Sequence, residues 1–181
     1  GVEEVITLLL EVADALAPAH TRGIVHRDLK PANVLIRAGD RRAVVADFGL
    51  VRFSELDSSL TKTGAMVGTP AYMAPEQIRG KPCSPATDVF ALGAMLYEGL
   101  TGEVPFRAPN IAIRLARISQ PPPPPSAESP EVSRALDAVV LRALLGDSGA
   151  RYSDAGNFAA AVREALNAPE PSPGGLALKA G

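Results

Sequence analysis

Residues 87–100 constrain the fold more than any other stretch of this chain. Val89, Phe90, Leu92, Met95, Leu96 and Leu100 place apolar side chains on nearly every side of a helix. A helix that is apolar all round has to be enclosed by other elements. A buried helix is therefore expected here, with Gly102 as its stop. At 181 residues, with 46% hydrophobic and 21% charged side chains, the chain has enough material for one such domain and hardly enough for two.

The elements around that helix follow from pattern. Val5, Leu8, Leu9, Val12 and Leu16 recur at helical spacing over about 3–20, with Glu3 and Glu4 at the favourable N-terminal end and Gly23 as the break. Ile24-Val25, residues 34–36 and residues 43–46 read as short strands, with a turn at 38–41 and a polar loop at 26–33. Residues 50–68 lack periodicity and read as a long loop, which in compact domains is usually functional. Pro75-Glu76 starts another helix. The five prolines at 121–125 exclude helix and central strand and form a stiff extended connector rather than a ligand for a proline-binding domain. Helices resume at about 131–145 and 154–167, and residues 168–181 read as a flexible Pro/Gly/Ala tail. The fold expected is mainly α with a small β-hairpin region.

A net charge of −2 argues against a nucleic-acid binder that works by bulk charge. A single cysteine, Cys83, cannot form an internal disulfide and reads as a small half-buried residue. No stretch is long and apolar enough to span a membrane, and with no basic start and Glu3 and Glu4 at once a signal peptide is not expected.

The chemistry concentrates in the polar loop, which reads His26-Arg27-Asp28-Leu29-Lys30-Pro31-Ala32-Asn33. Asp47-Phe48-Gly49 follows the second strand, and Gly68-Thr69-Pro70-Ala71-Tyr72-Met73-Ala74-Pro75-Glu76 lies further on. Alone, Asp28 reads as a loop cap and Asn33 as a turn residue. Asp47, at a strand end, has no obvious partner in sequence. Together, in this order, the three segments resemble the catalytic loop, the metal-binding segment and the activation-segment anchor of protein kinases. The resemblance covers about residues 2–167. Gly23-Ile24-Val25-His26 and Glu98-Gly99-Leu100-Thr101-Gly102 with Pro105-Phe106 resemble bacterial eukaryotic-like serine/threonine kinases in particular.

The resemblance implies roles residue by residue. Asp28 would accept or orient the proton of a substrate hydroxyl, and Lys30 would approach the transferring phosphate. Asn33 and Asp47 would hold Mg²⁺, and with Lys30 would bind ATP. Arg27 implies regulation by a phosphate on the activation loop, with Thr61 and Thr63 ahead of Ser58 and Ser59 as its carriers. Thr69 would contact Asp28 and Lys30 and shape the pocket beyond the phosphoacceptor. His26 would be a packed, hydrogen-bonded histidine and His20 a satisfied one at a helix end. Phe48 would pack and Gly49 would supply backbone freedom. Asp88 would brace the catalytic-loop backbone, and Glu76 would pair with Arg151. Phe90-Ala91 stands where the family usually has Trp-Ser, and Ser148 where a Pro is usual, which would loosen the loop before Arg151.

The resemblance has a gap. The chain contains no Gly-rich loop, no strand lysine and no partner glutamate helix. It therefore looks like a kinase C-terminal lobe without its N-terminal lobe, over residues 1–167. The function implied is transfer of the ATP γ-phosphate to Ser or Thr of a protein, with little activity for this chain alone. The alternatives are a non-catalytic interaction module and a coding frame that starts late. Expected partners are protein substrates and a second kinase molecule acting in trans. The expected location is the cytoplasm, with an anchor beyond residue 181 left open.

Overall fold

The computed structural model of the chain describes residues 1–47 and 70–168. Phe48, Gly49, Thr61, Thr63 and Thr69, with the loop at 50–68 and the tail from 169, lie outside the described residues.

The expected central helix is α3, Pro85–Thr101, longer by a turn than its apolar run. Ser84 is its N-cap, and the Ser84 amide donates to the Thr87 hydroxyl (3.1 Å), closing the first turn. Gly102 ends it in the left-handed region (φ +80°), donating to the Glu98 carbonyl. α3 is buried nearly throughout. Around it pack α1 (Val2–His20), α5 (Arg134–Ala143) and α6 (Ala155–Asn167). Val12, Leu16, Leu92, Leu96, Leu136, Val140, Phe158 and Val162 form one continuous core among them.

Two close crossings set the helix positions. A Cβ at Gly93 would stand 2.7 Å from the Ala143 Cβ, and one at Gly99 2.3 Å from a Val5 methyl. Glycine lets α3 approach α5 and α1 more closely than any side chain would allow.

Among the described residues the sheet has two strands, β1 (Val34–Ile36) and β2 (Ala43–Val45), antiparallel with Leu35 opposite Val44. It rests on α1, where the Glu11 carboxylate accepts from the Ala43 amide (2.7 Å) and from Arg42 (3.3 Å). The turn is closed by the Arg37 amide on the Arg42 carbonyl, with Arg41 left-handed (φ +58°).

Some expectations are corrected. Ile24-Val25 is not a strand. The Ile24 amide turns back onto the Ala19 carbonyl to finish α1, and among the described residues no strand lies alongside. Val25 is buried and Ile24 half-exposed, so tertiary position overrides β-propensity. The helix expected over 131–145 spans only 134–143, because the Ser133 hydroxyl caps it by accepting from the Leu136 amide (3.2 Å). A short helix, α4 (Ile111–Arg117), has no counterpart in the sequence reading. Ser148 does not leave its loop loose: a 3₁₀ turn at 148–150 is held by Asp147 accepting from the Gly149 amide (2.9 Å). In the proline run, Pro122 and Pro125 are buried while 121, 123 and 124 are exposed. That threefold face is what a polyproline strand lays against a protein, and it serves the fold here. Among the described residues no helix is long and apolar enough to cross a membrane.

Candidate active site

The loop 26–33 leaves α1 and enters β1 through a 3₁₀ turn at Pro31–Asn33. Leu29 is sunk into the core and holds the loop down from its middle, with Asp28 and Lys30 to either side at the surface. Lys30 Nζ donates to Asp28 Oδ2 (2.7 Å). Asn33 Nδ2 donates to the Asp28 carbonyl (2.7 Å) and to the same Oδ2 (3.1 Å). Among the described residues no donor reaches Asp28 Oδ1. One carboxylate oxygen is thus fixed by two donors and the other is left to accept. Asn33 commits both amide N–H groups to Asp28, which fixes its orientation and leaves Oδ1 as a ligand oxygen.

The backbone that presents Asp28 is unusual. Arg27 is left-handed (φ +70°), a region that side-chain-bearing residues avoid. Asp88, in the first turn of α3, holds this stretch from below. Its Oδ2 accepts from the His26 amide (2.7 Å) and its Oδ1 from the Arg27 amide (2.9 Å). His20 Nε2 lies 2.9 Å from Asp88 Oδ2, and His20 Nδ1 accepts from the Ala155 amide (3.1 Å). That amide has only a proton to offer, so Nε2 carries the ring proton and donates to Asp88. A buried carboxylate thus collects three donors beside a helix N-terminus, which makes its burial tolerable.

His26 is fully buried between the loop and the chain beyond β2. Its Nε2 faces the Ala46 carbonyl (2.9 Å), and its Nδ1 accepts from the Asp28 amide (3.3 Å). The Ala46 amide donates to the Asn33 carbonyl (2.8 Å). These bonds join the loop to Asp47, which is exposed and left-handed (φ +58°). Two of the three non-glycine residues with positive φ among the described residues, Arg27 and Asp47, therefore flank this site. Stored backbone strain of this kind clusters at functional sites.

Glu76, on α2 (Pro75–Ile78), meets Arg151 in a two-pronged pair (2.8 and 2.9 Å) and accepts from the Thr87 hydroxyl (2.9 Å). Burial pushes the Glu76 carboxyl up, but the Arg151 bonds and charge outweigh it and leave it below the usual carboxylate range. Cys83 is half-buried, and burial raises its thiol above the ordinary value.

Several contributors were not visible in sequence. Arg114 of α4 is buried, donates to the carbonyls of Ala71 (2.7 Å) and Met73 (2.6 Å), and lies over the Phe90 ring. Burial pulls its guanidinium down to about 10. Arg151 covers the same ring, and Phe106 stacks on it, so Phe90 is the hub where Trp is usual. Leu35 and Val44, paired across the hairpin, are 56% and 43% exposed and form an apolar shelf next to Asn33. The only sign of them in sequence is that both strands are apolar on both faces.

Among the described residues no three His, Cys, Asp or Glu converge as a metal cluster. Mg²⁺ takes one or two protein oxygens and completes its shell with water and phosphate. Asn33 Oδ1 and the exposed Asp47 carboxylate fit that need.

The protein kinase domain family matches residues 2–165. The chain is 44% identical over 184 residues to the serine/threonine-protein kinase Pkn1 of Myxococcus xanthus, covering 96% of this chain and 27% of that protein. It is 42% identical over 162 residues to PknJ of Mycobacterium tuberculosis, covering 86% of this chain and 27% of that protein. It thus spans about a quarter of the length of these curated relatives. Among solved structures, the kinase PK-1 of Cydia pomonella granulovirus superposes with a TM-score of 0.67 at 27% identity, over 87% of this chain and 57% of that one.

Proposed function

The chain belongs to the protein kinase family, among bacterial eukaryotic-like serine/threonine kinases, and from that premise we propose that residues 26–33 and Asp47 serve phosphoryl transfer from ATP to a protein Ser or Thr. Residues 1–167 act in this reading as the C-terminal lobe of a kinase domain. The observation that carries it is the double grip of Lys30 and Asn33 on Asp28 Oδ2, which leaves Oδ1 to a substrate hydroxyl.

The hydroxyl oxygen of the substrate bonds to the γ-phosphorus as the bond from that phosphorus to the bridging oxygen of ADP breaks. Asp28 Oδ1 takes the proton that the hydroxyl loses. Lys30, bonded to Asp28, would approach the γ-phosphate and balance charge on each. The catalysis is mainly positioning and electrostatics. Asn33 Oδ1 and Asp47 would hold Mg²⁺, which when bound spreads positive charge over the phosphate oxygens. The Leu35–Val44 shelf offers an apolar rest for the adenine base. A phosphate on Thr61 or Thr63 would pair with Arg27 for regulation, and Thr69 would contact Asp28 and Lys30; all three threonines lie outside the described residues.

The test is radiolabel transfer from γ-labelled ATP with Mg²⁺ to Ser/Thr protein substrates by the native gene product. Asp28→Asn should lower kcat by about 10³-fold or more, and phosphoamino-acid analysis should return only phosphoserine and phosphothreonine. The 181-residue chain by itself, lacking a Gly-rich loop and strand lysine, should turn over negligibly. Full transfer by Asp28→Asn would remove the reading.

A further inference from the structure

The left-handed turn at Arg27 has a second anchor that the kinase resemblance does not assign. Asp88 grips the amide on the N-terminal side of the Arg27 Cα. On the C-terminal side, the Arg27 carbonyl accepts from Gln77 Nε2 (2.5 Å). Gln77 Oε1 in turn accepts from the Ala74 amide (2.9 Å), the N-cap amide of α2. The amide group cannot turn over, because its oxygen must meet a donor and its nitrogen an acceptor. Its neighbour Glu76 is locked to Arg151, so Gln77 reaches toward the loop from a fixed base.

We infer that Gln77 is a positioning residue: it bridges the start of α2 to the catalytic loop and holds the Arg27–Asp28 peptide in the orientation that presents Asp28. The inference rests on the phosphoryl-transfer reading for its consequence, not for its geometry. A positive φ at an arginine persists only where the surroundings over-determine it. Without Gln77 the Arg27–Asp28 peptide keeps the Asp88 bonds and the longer bond from the Asp28 amide to His26 Nδ1 (3.3 Å) but loses the anchor on its carbonyl, so it tilts toward commoner backbone angles and Asp28 moves with it. Asp28 Oδ2 then loses its register with Lys30 and Asn33. The bridge also couples two segments. A shift of residues 71–74, which the Ala74 amide shares with Gln77, is delivered to the Arg27 carbonyl. The side chain required must offer one acceptor and one donor across a plane, with glutamine's reach.

Gln77→Glu separates the two bonds. Glutamate still accepts from the Ala74 amide, and it is a favoured third residue in a helix N-terminus. It has no proton for the Arg27 carbonyl at neutral pH and sets one oxygen against another. Amide hydrogen exchange on the 181-residue chain reads this directly. Gln77→Glu should exchange about tenfold faster in peptides covering 25–30, with α3 unchanged and the melting temperature held. Lowering the pH into the carboxyl range should restore protection relative to wild type, because the protonated acid donates again. Gln77→Met, which loses both bonds, should show faster exchange without that recovery. In the native gene product, Gln77→Glu should lower kcat by about 10²-fold with KM for ATP within about twofold. Unchanged exchange at 25–30 in Gln77→Glu overturns the inference, as does faster exchange with wild-type kcat. If the wild-type product transfers no phosphate, the functional reading fails while the exchange arm still decides the bridge.

Discussion

Arg151 spends its whole guanidinium inside the core, and its two terminal nitrogens meet the two oxygens of Glu76 (2.8 and 2.9 Å). The remaining N–H groups go to the carbonyls of Leu145 (2.7 Å), Ala86 (2.9 Å) and Gly146 (3.4 Å). Five donors find five acceptors, so one side chain ties α2, α3 and the loop after α5 together.

Removing one member of this pair strands the other in the core. Arg151→Met should cost about 3–5 kcal/mol in urea denaturation, because it leaves the buried Glu76 carboxylate uncompensated. Glu76→Gln should cost less, since its amide oxygen still accepts from one guanidinium nitrogen. The pH dependence has a definite sign. The Glu76 carboxyl is lowered in the folded protein. Its contribution is complete above the unfolded value of about 4.3 and is lost as pH falls through the lower folded value. Acid melts of wild type and Glu76→Gln should therefore converge below that window. Parallel curves down to the lowest pH would contradict it.

The α3–α5 crossing at Gly93 makes a second case. Gly→Ala in a helix ordinarily gains about 1 kcal/mol from propensity. Here the new Cβ would sit 2.7 Å from the Ala143 Cβ, which is rooted on backbone and cannot swing aside. The helices must separate, and overpacking of this kind costs about 1–3 kcal/mol. Gly93→Ala should thus lower stability. Gly93→Ala with Ala143→Gly should recover most of it, which a double-mutant cycle in denaturant measures.

These two features show where sequence was readable. The burial of α3 was legible because its apolar residues fall on every side, and that pattern has one outcome. The loop 26–33 was legible because its residue types only make sense together. The pairing of Glu76 with Arg151 came through resemblance, since nothing local links two charges so far apart in sequence. α4 was invisible: its Arg114 reads as a surface cation, and its burial depends on the Ala71 and Met73 carbonyls, which no periodicity reveals. Ile24-Val25 misled for the opposite reason. Two β-branched residues signal a strand, but the backbone beside them is already used to close α1. Gln77 carried no signal, because its role lies in which carbonyl it reaches.

The tyrosines give an optical test of packing. Burial raises the phenol of Tyr72, helped by its bond to Glu98 (2.6 Å), and burial likewise raises Tyr97 and Tyr152. These are all the tyrosines in the chain. Absorbance near 295 nm should therefore stay low in the folded protein past the ordinary phenol value of about 10. It should rise at the same pH when urea is added. The folded values are raised, so the stability they carry is present below the unfolded value and is lost as pH climbs through the folded ones. A native titration that follows the urea curve would show the rings to be solvated.

Asp88→Asn tests the floor of the site, and its outcome turns on which oxygen becomes the amide nitrogen. Placed at Oδ2, the new NH₂ would oppose the His26 amide and the His20 ring N–H. His20 cannot escape by moving its proton to Nδ1, because the Ala155 amide already donates there. Placed at Oδ1, the NH₂ opposes only the Arg27 amide. The second placement is the cheaper, so the damage should concentrate at the left-handed residue that presents Asp28. The variant should lose about 1–3 kcal/mol of stability, the cost of a buried donor left unsatisfied. Its amide exchange should quicken at 26–29 and stay unchanged at the start of α6, because the His20–Ala155 bond survives. Asp88→Ala removes both oxygens, so exchange there should quicken at the α6 N-terminus as well. Equal exchange patterns in the two variants would mean that the three donors around Asp88 do not act separately.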